Sequence, residues 1–426
     1  MTVLILASVP RIGANTHDRP NIVVIMPDDM GWGDAGFNGG STPTPHLNQL
    51  ARESLSLNRF YTFPSCSPTR AAMLSGSFPH RLGVPAPVRT IDSGLPVETV
   101  LLPQLLQAEG YRTAMIGKWH LGGEYVPEQR PHRRGFDEFY GSYQTGIDYF
   151  THTNESGELD WWRNDRVVEE AGYITHLQAT EAERLIRDTS SHQPLFLWFA
   201  AHAPHTPVQA PAATVAQFSS TPGRNGPTYA AMIYEFDLAV GRILRAIDDS
   251  GQRDNTIVVF FSDNGGVRFS NRGQFRGNKN TIYEGGIRSP LLIRWPQKLP
   301  VIARTDFVAS VTDLAPTLLA AAGVDWSKLN TSDGINLLPF LESARVPARD
   351  TLFIATLDEF AAITTGWKLV ETPTEFELYD LTTDPTESHN RASSEPDVVN
   401  QLKKSIEALK QELPATTPRP ARGRRR

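Results

Sequence analysis

Four apolar runs in this chain stop abruptly on polar, ionisable residues. Residues 21–26 (NIVVIM) lead into Pro27-Asp28-Asp29, and residues 113–116 lead into Gly117-Lys118-Trp119-His120. Residues 195–201 lead into His202-Ala203-Pro204-His205, and residues 256–262 into Asp263-Asn264-Gly265-Gly266. Short, continuous apolar runs rich in β-formers read as strands buried on both faces. Helical patterns fill the intervals at 101–109, 180–189, 229–250 and 312–322. This alternation predicts an α/β fold, a large mainly parallel mixed sheet sandwiched by helices. Such sheets bind ligands at the carboxyl ends of their strands, so the four polar clusters are expected to meet at one site.

At 426 residues the chain is long for a single core, and a smaller appended domain is expected. Past residue 334 the texture changes to short alternating runs at 351–357, 361–365, 367–371 and 377–381, followed by a polar helix over 396–413. This reads as a small α+β subdomain with an antiparallel sheet. The expected organisation is a leader or disordered N-terminus over 1–20, the main domain over 21–334, the subdomain over 335–413 and a basic disordered tail over 414–426. Net charge is −6, which excludes nucleic acid as a default partner, and no run approaches the length of a membrane span. An apolar run at residues 3–9 without a preceding Lys or Arg resembles a clipped secretory signal, which favours a periplasmic or secreted location over a cytoplasmic one.

The single cysteine, Cys66, cannot form an internal disulfide and therefore serves either packing or chemistry. Pro68 suits the first turn of a helix that Ala71-Ala72-Met73-Leu74 can continue, which puts Cys66 at a helix N-terminus where anions are favoured. Arg70 adds a fixed cation one turn along, so the segment suits an anionic substrate and a nucleophile that works as an anion. Asp28, Asp29, Asp263 and Asn264 offer four hard oxygen ligands without sulfur or imidazole, which suits Ca²⁺ or Mg²⁺. Adjacent carboxylates also cap turns, and that reading stands beside the metal one.

The pattern Cys66-Ser67-Pro68-Thr69-Arg70 with Leu74-Ser75-Gly76 resembles the signature of type I, formylglycine-dependent sulfatases of the alkaline phosphatase superfamily. Gly117-Lys118-Trp119-His120-Leu121-Gly122, Ala203-Pro204-His205-Thr206-Pro207 and residues 377–385 resemble further segments of that family, in its arylsulfatase A/B-like branch. The resemblance implies that Cys66 is oxidised to formylglycine (3-oxoalanine) by a formylglycine-generating or other sulfatase-maturating enzyme. The hydrated aldehyde is then the nucleophile, and its second hydroxyl solves the release of sulfate that a single hydroxyl would not. It implies also that Asp28, Asp29, Asp263, Asn264 and position 66 bind one divalent cation, usually Ca²⁺. Pro27 departs from the small residue common there. By the same carry-over, Arg70, Lys118, His120, His205 and Lys279 are catalytic: the lysines bind sulfate, His120 contacts the nucleophile, and His205 and Lys279 stand near the leaving oxygen.

The expected activity is hydrolysis of sulfate monoesters of aryl or carbohydrate alcohols. Two alternatives are a phosphonate monoester or phosphodiester hydrolase of the same superfamily, and a non-catalytic sulfate-ester binding protein. Residues 146–172, with Tyr149, His152, Trp161, Trp162, Arg163 and Asn164, are expected to line the pocket mouth, where aromatic faces would meet a sugar or aryl ring. His176 departs from the family's Asp after Gly-Tyr-x-Thr and is expected to touch specificity. His202 is read as structural, and Glu284 as fixing a turn. Oligomeric state and the natural ester are not legible.

Overall fold

The computed structural model describes residues 19–89, 94–190, 192–302, 308–343 and 349–414. The expected leader, apart from Arg19 and Pro20, and the basic tail beyond Pro414 lie outside these residues.

The chain lays down β1 (Asn21–Met26), β2 (Leu55–Tyr61), β3 (Arg112–Lys118), β4 (Glu138–Ser142), β5 (Trp162–Arg163), β6 (Arg166–Val167), β7 (Leu195–Ala200), β8 (Thr256–Phe260), β9 (Arg288–Arg294) and β10 (Ala309–Ser310). They form one ten-stranded sheet in the order β10-β2-β9-β8-β1-β7-β3-β4-β5-β6. The centre, β8-β1-β7-β3-β4, is parallel throughout. β9 runs antiparallel to both β8 and β2, so β2 points the same way as the central strands.

All six residues of β1 are buried, and they alternate between two apolar layers because successive strand side chains point to opposite faces. Ile22, Val24 and Met26 join Phe196, Trp198, Ile257 and Val259 on one face. Val23 and Ile25 join Leu197, Phe199, Val258 and Phe260 on the other. Helices Cys66–Ser75, Leu102–Ala108 and Leu314–Ala321 cover the first face, and Ile174–Arg187 and Gly226–Asp249 the second. The predicted helix at 180–189 therefore starts earlier, because Ile174 and Ala179 also bury on the sheet.

A second, antiparallel sheet follows the order β11 (Leu352–Ala355), β12 (Phe360–Ile363), β13 (Trp367–Glu371), β14 (Phe376–Asp380), with the helix Pro396–Glu412 packed on it. Ile354, Ala361 and Val370 on one of its faces, and Ala362, Leu369 and Leu378 on the other, belong with Ile406 to the same apolar cluster as the first layer of the main sheet. Among the described residues no helix is long and apolar enough to cross a membrane.

Candidate active site

The expected meeting of strand ends occurs. β1, β3, β7 and β8 are parallel neighbours, so Asp28 and Asp29, Lys118 and His120, His202 and His205, and Asp263 and Asn264 emerge at one edge. β2 ends at the same edge, and after a short connection the helix Cys66–Ser75 starts there with Cys66 as its first residue. Because β9 runs the opposite way, the connection from β8 to β9 stays at this edge, and it carries Lys279.

β3 ends at Lys118, and His120 takes a left-handed backbone with φ 56°. Its direction is set by the turn, held by the His120 amide donating to the Tyr143 carbonyl at 3.0 Å. His120 Nδ1 then lies 3.1 Å from Cys66 Sγ, and Nε2 lies 2.9 Å from the Val88 carbonyl. A carbonyl only accepts, so the ring proton belongs on Nε2 and Nδ1 turns a lone pair to Cys66. Burial, reinforced by Lys118 and Arg70, holds the His120 pKa well below the usual range, which keeps this imidazole neutral.

Beneath Cys66 the charges interlock. Arg70 donates to Asp263 Oδ2 at 2.9 Å and approaches Asp28 Oδ2 at 3.5 Å. Lys118 Nζ rests on Asp28 Oδ2, and Lys279 Nζ on Asp29 Oδ1 at 2.6 Å. Asn264 Nδ2 also donates to Asp29 Oδ1, at 2.8 Å. Burial opposes ionisation of Asp28, but Lys118, His205, Arg70 and Lys279 together hold its carboxyl well below the ordinary value. Burial and the neighbouring Asp28 charge push Asp263 well above it, as expected where two carboxylates share a dry site. Burial also depresses His205, to about 4. Lys279 is raised despite its burial, chiefly by Asp29.

Whether these residues suit a cation can be judged from their unpaired atoms. Asp28 Oδ1 and Asn264 Oδ1 are buried and accept no hydrogen bond among the described residues. Buried acceptors of this kind are rare without a partner, and both are hard oxygens. Asp28, Asp29 and His205 present ligand atoms that all lie within 4.8 Å of one another. The sequence reading named Asp263 instead of His205. Asp263 Oδ2 here faces Arg70, while its Oδ1 accepts the Asp29 amide at 3.2 Å. His205 Nε2 stands 3.7 Å from Asp29 Oδ2. The donor set fits a divalent cation.

Cys66, His120, His205 and Lys279 open into a cavity of roughly 570 Å³. Its outer wall is formed by Val88, Arg89, Glu124, Tyr125, Gln144, Thr145, Asn154, Glu155, Ser156 and Glu158 among others. This corrects the expected pocket mouth. Tyr149, His152 and Trp161 are at most 1% exposed and pack inward: Trp161 lies against Tyr140, and the Tyr149 hydroxyl donates to the His202 carbonyl. Asn164 is tied to the Phe139 amide, Trp162 stacks near Tyr143, and Arg163 pairs with Glu181. The intervening turn at residues 154–158 faces the cavity instead. Its polar residues carry no periodic signal that would place them there. His176 also lies away from the cavity, 2.8 Å from Glu235 on the neighbouring helix. His202 is held at 2.7 Å by both Ser142 and Gln178, a structural role.

The family model described as Sulfatase matches residues 20–324. The chain belongs to the sulfatase family. A second model, N-sulphoglucosamine sulphohydrolase, C-terminal, matches residues 273–412. N-acetylgalactosamine-6-sulfatase of Homo sapiens is 36% identical over 383 residues, covering 82% of this sulfatase and 72% of the relative. Arylsulfatase A of Homo sapiens is 34% identical, covering 93% and 88%. Among solved structures, Ps i-CgsB in complex with k-i-k-neocarrahexaose superposes with a TM-score of 0.88 at 30% identity, covering 94% of each chain. This sulfatase is accordingly an enzyme that hydrolyses sulfate esters, with the mixed ten-stranded sheet and smaller antiparallel sheet of its structural neighbours.

Proposed function

We propose that the sulfatase hydrolyses sulfate monoesters of saccharides with Cys66, matured to formylglycine, as its nucleophilic position. The observation that carries this reading is the placement of Cys66. It begins a buried helix, faces the lone pair of a neutral histidine and opens into a cavity that also holds Lys279 and His205. As a hydrated aldehyde, the matured residue supplies a hydroxyl for attack and a second one for release.

The chain's own groups have distinct tasks in this scheme. His120 Nδ1 accepts a proton from the hydroxyl beside it. Lys118 and Lys279 bring positive charge towards the non-bridging sulfate oxygens, and Arg70 keeps Asp28 and Asp263 in place. Asp29 favours the charged form of Lys279, whereas His205 offers a neutral imidazole at the same wall. The subdivision into a main domain over 21–334 and a subdomain over 335–413 belongs to the same reading, and the shared apolar layer supports treating them as one folding unit.

Asp28, Asp29, Asp263 and Asn264, with position 66, are the proposed holders of Ca²⁺, with Mg²⁺ as the alternative, and His205 stands close to the same oxygens. When bound, such a cation favours deprotonation of a ligated hydroxyl and offsets charge on sulfate. Millimolar Ca²⁺ added to chelator-treated protein should raise the melting temperature, since an ion bound only by the native state stabilises it. An unchanged melting curve across a Ca²⁺ titration would remove that ion from the proposal.

Peptide mass spectrometry at position 66, after co-expression with a maturating enzyme, should show the CH₂SH side chain replaced by CHO. Turnover of an aryl sulfate should track the matured fraction. Activity independent of that fraction, or a decisive kcat/KM preference for a phosphodiester, would defeat the reading.

A further inference from the structure

The more exposed part of the cavity lining bears charge of the wrong sign for a site that takes anions. Glu124, Glu155 and Glu158 all line it. Glu124 is half-buried and accepts a hydrogen bond from Gln144, and Glu155 Oε1 lies beside Gly146, 3.4 Å from where a side chain at that position would begin. Glu158 Oε2 accepts from Asn154 Nδ2 at 3.3 Å. These neutral donors leave the carboxylate charges in place, and no ion pair among the described residues neutralises any of the three. Arg89, also on the lining, is itself partnered. Burial raises the Glu124 pKa, and the Glu158 charge adds to that rise, so the two carboxylates sense one another across the mouth. Next to Glu124 in the chain and on the same lining, Tyr125 stands out into solvent, 71% exposed.

The cavity is therefore polarised. Its floor, with Lys279 and the helix N-terminus at Cys66, attracts one sulfate group, and its rim repels any further anion on the same molecule. We infer that the acidic rim selects esters whose alcohol portion is neutral or cationic and rejects those bearing a second sulfate or a carboxylate near the scissile group. This inference rests on the reading that the ester's sulfate binds at Cys66. Glu124, Glu155 and Glu158 are the specificity-determining residues, and Tyr125 offers a flat face for an uncharged ring. Two of the three glutamates are exposed, so the discrimination is electrostatic, of moderate size and weakened by salt.

The test uses the matured full-length enzyme and three aryl sulfates of matched reactivity, carrying a neutral, a carboxylate or a quaternary ammonium substituent. At low ionic strength kcat/KM should fall roughly fivefold from the neutral to the carboxylate ester and should not fall for the ammonium ester, as expected for a few screened charges. Glu124→Gln/Glu155→Gln/Glu158→Gln should bring the neutral-to-carboxylate ratio towards one, as should 0.5 M salt, where the screening length falls to roughly 4 Å. Equal kcat/KM for neutral and carboxylate esters at low salt, or a ratio unmoved by the triple substitution, would overturn the rim inference while leaving the sulfatase chemistry intact. Absence of turnover for all three esters by fully matured protein would instead remove the underlying reading and the inference with it.

Discussion

Cys66→Ala is expected to yield a folded protein without measurable turnover of sulfate esters. The loss should reach about 10⁴-fold or more in kcat, the scale on which removal of a covalent nucleophile acts. The expected structural effect is small by comparison. Cys66 is 2% exposed, but among the described residues its side chain makes one hydrogen-bond contact, with His120 Nδ1, and alanine is a good residue for the first turn of a helix. Deleting one sulfur from that position should change stability by about 1 kcal/mol. Cys66→Ser should fail in turnover too, because a single hydroxyl offers no second oxygen for release of the sulfate. Steady-state rates on an aryl sulfate, read beside a thermal melt, separate the two effects. If Cys66→Ala retained a tenth of the wild-type rate with its melting curve intact, the nucleophile would have to be sought elsewhere on the cavity wall.

The strands that carry the chemistry were legible because burial on both faces leaves a continuous apolar run. β1, β3, β7 and β8 needed no tertiary information to be placed, and their parallel pairing explains why four separate motifs share one edge. β2 and β9 were not legible. LSLNRFY places Asn58 and Arg59 inside the strand, and RSPLLIR contains Pro290. Arg59 interrupts the apolar pattern because it reaches the Thr364 carbonyl of the small sheet at 3.0 Å, a partner no local window contains. The site chemistry could be read from Asp28, Lys118, His205 and Asp263 because each lies at or just past a strand end. The rim could not. Aromatic residues of the 146–172 segment looked suited to a ring, but they are large apolar bodies and were drawn into the core, leaving the glutamate-bearing turn at the mouth. His120 shows the same limit on a smaller scale: its position was readable, while its left-handed turn was not.

Lys368→Met is expected to be strongly destabilising although it lies outside the cavity. Lys368 extends from β13 and is fully buried between Glu284 Oε1 at 3.1 Å and Glu387 Oε1 at 2.7 Å, the latter a close ion pair without hydrogen-bond alignment. Glu284 also meets Arg288 at 3.0 Å and the Tyr61 hydroxyl at 3.2 Å, so the cluster ties the small sheet to the end of β2 and the start of β9. Removing one partner from a buried ionic group leaves uncompensated charge and typically costs about 3–5 kcal/mol. With an unfolding entropy of roughly 2.1 cal/mol/K per residue, that lowers the melting temperature by about 3–6 °C. The deficit should also depend on pH with a definite sign. Burial already opposes ionisation of Glu284, and Lys368 with Arg288 brings its pKa below the ordinary value; burial keeps that of Glu387 above it. Without the ammonium, one of these carboxyls should take up a proton on folding, its folded pKa rising above the unfolded one. Such a group favours the native state below its unfolded pKa and loses that advantage as pH rises through the folded pKa. The variant should therefore sit nearest to wild type in mild acid and fall furthest behind at neutral pH. The Glu284 amide donates to Glu387 Oε2 at 2.7 Å, anchoring the end of the loop that carries Lys279, so kcat/KM should drop even well below the melting temperature. Paired melting curves between pH 5 and 8 decide the matter: superimposable curves for wild type and Lys368→Met at neutral pH would mean that this cluster contributes nothing to holding the two sheets together.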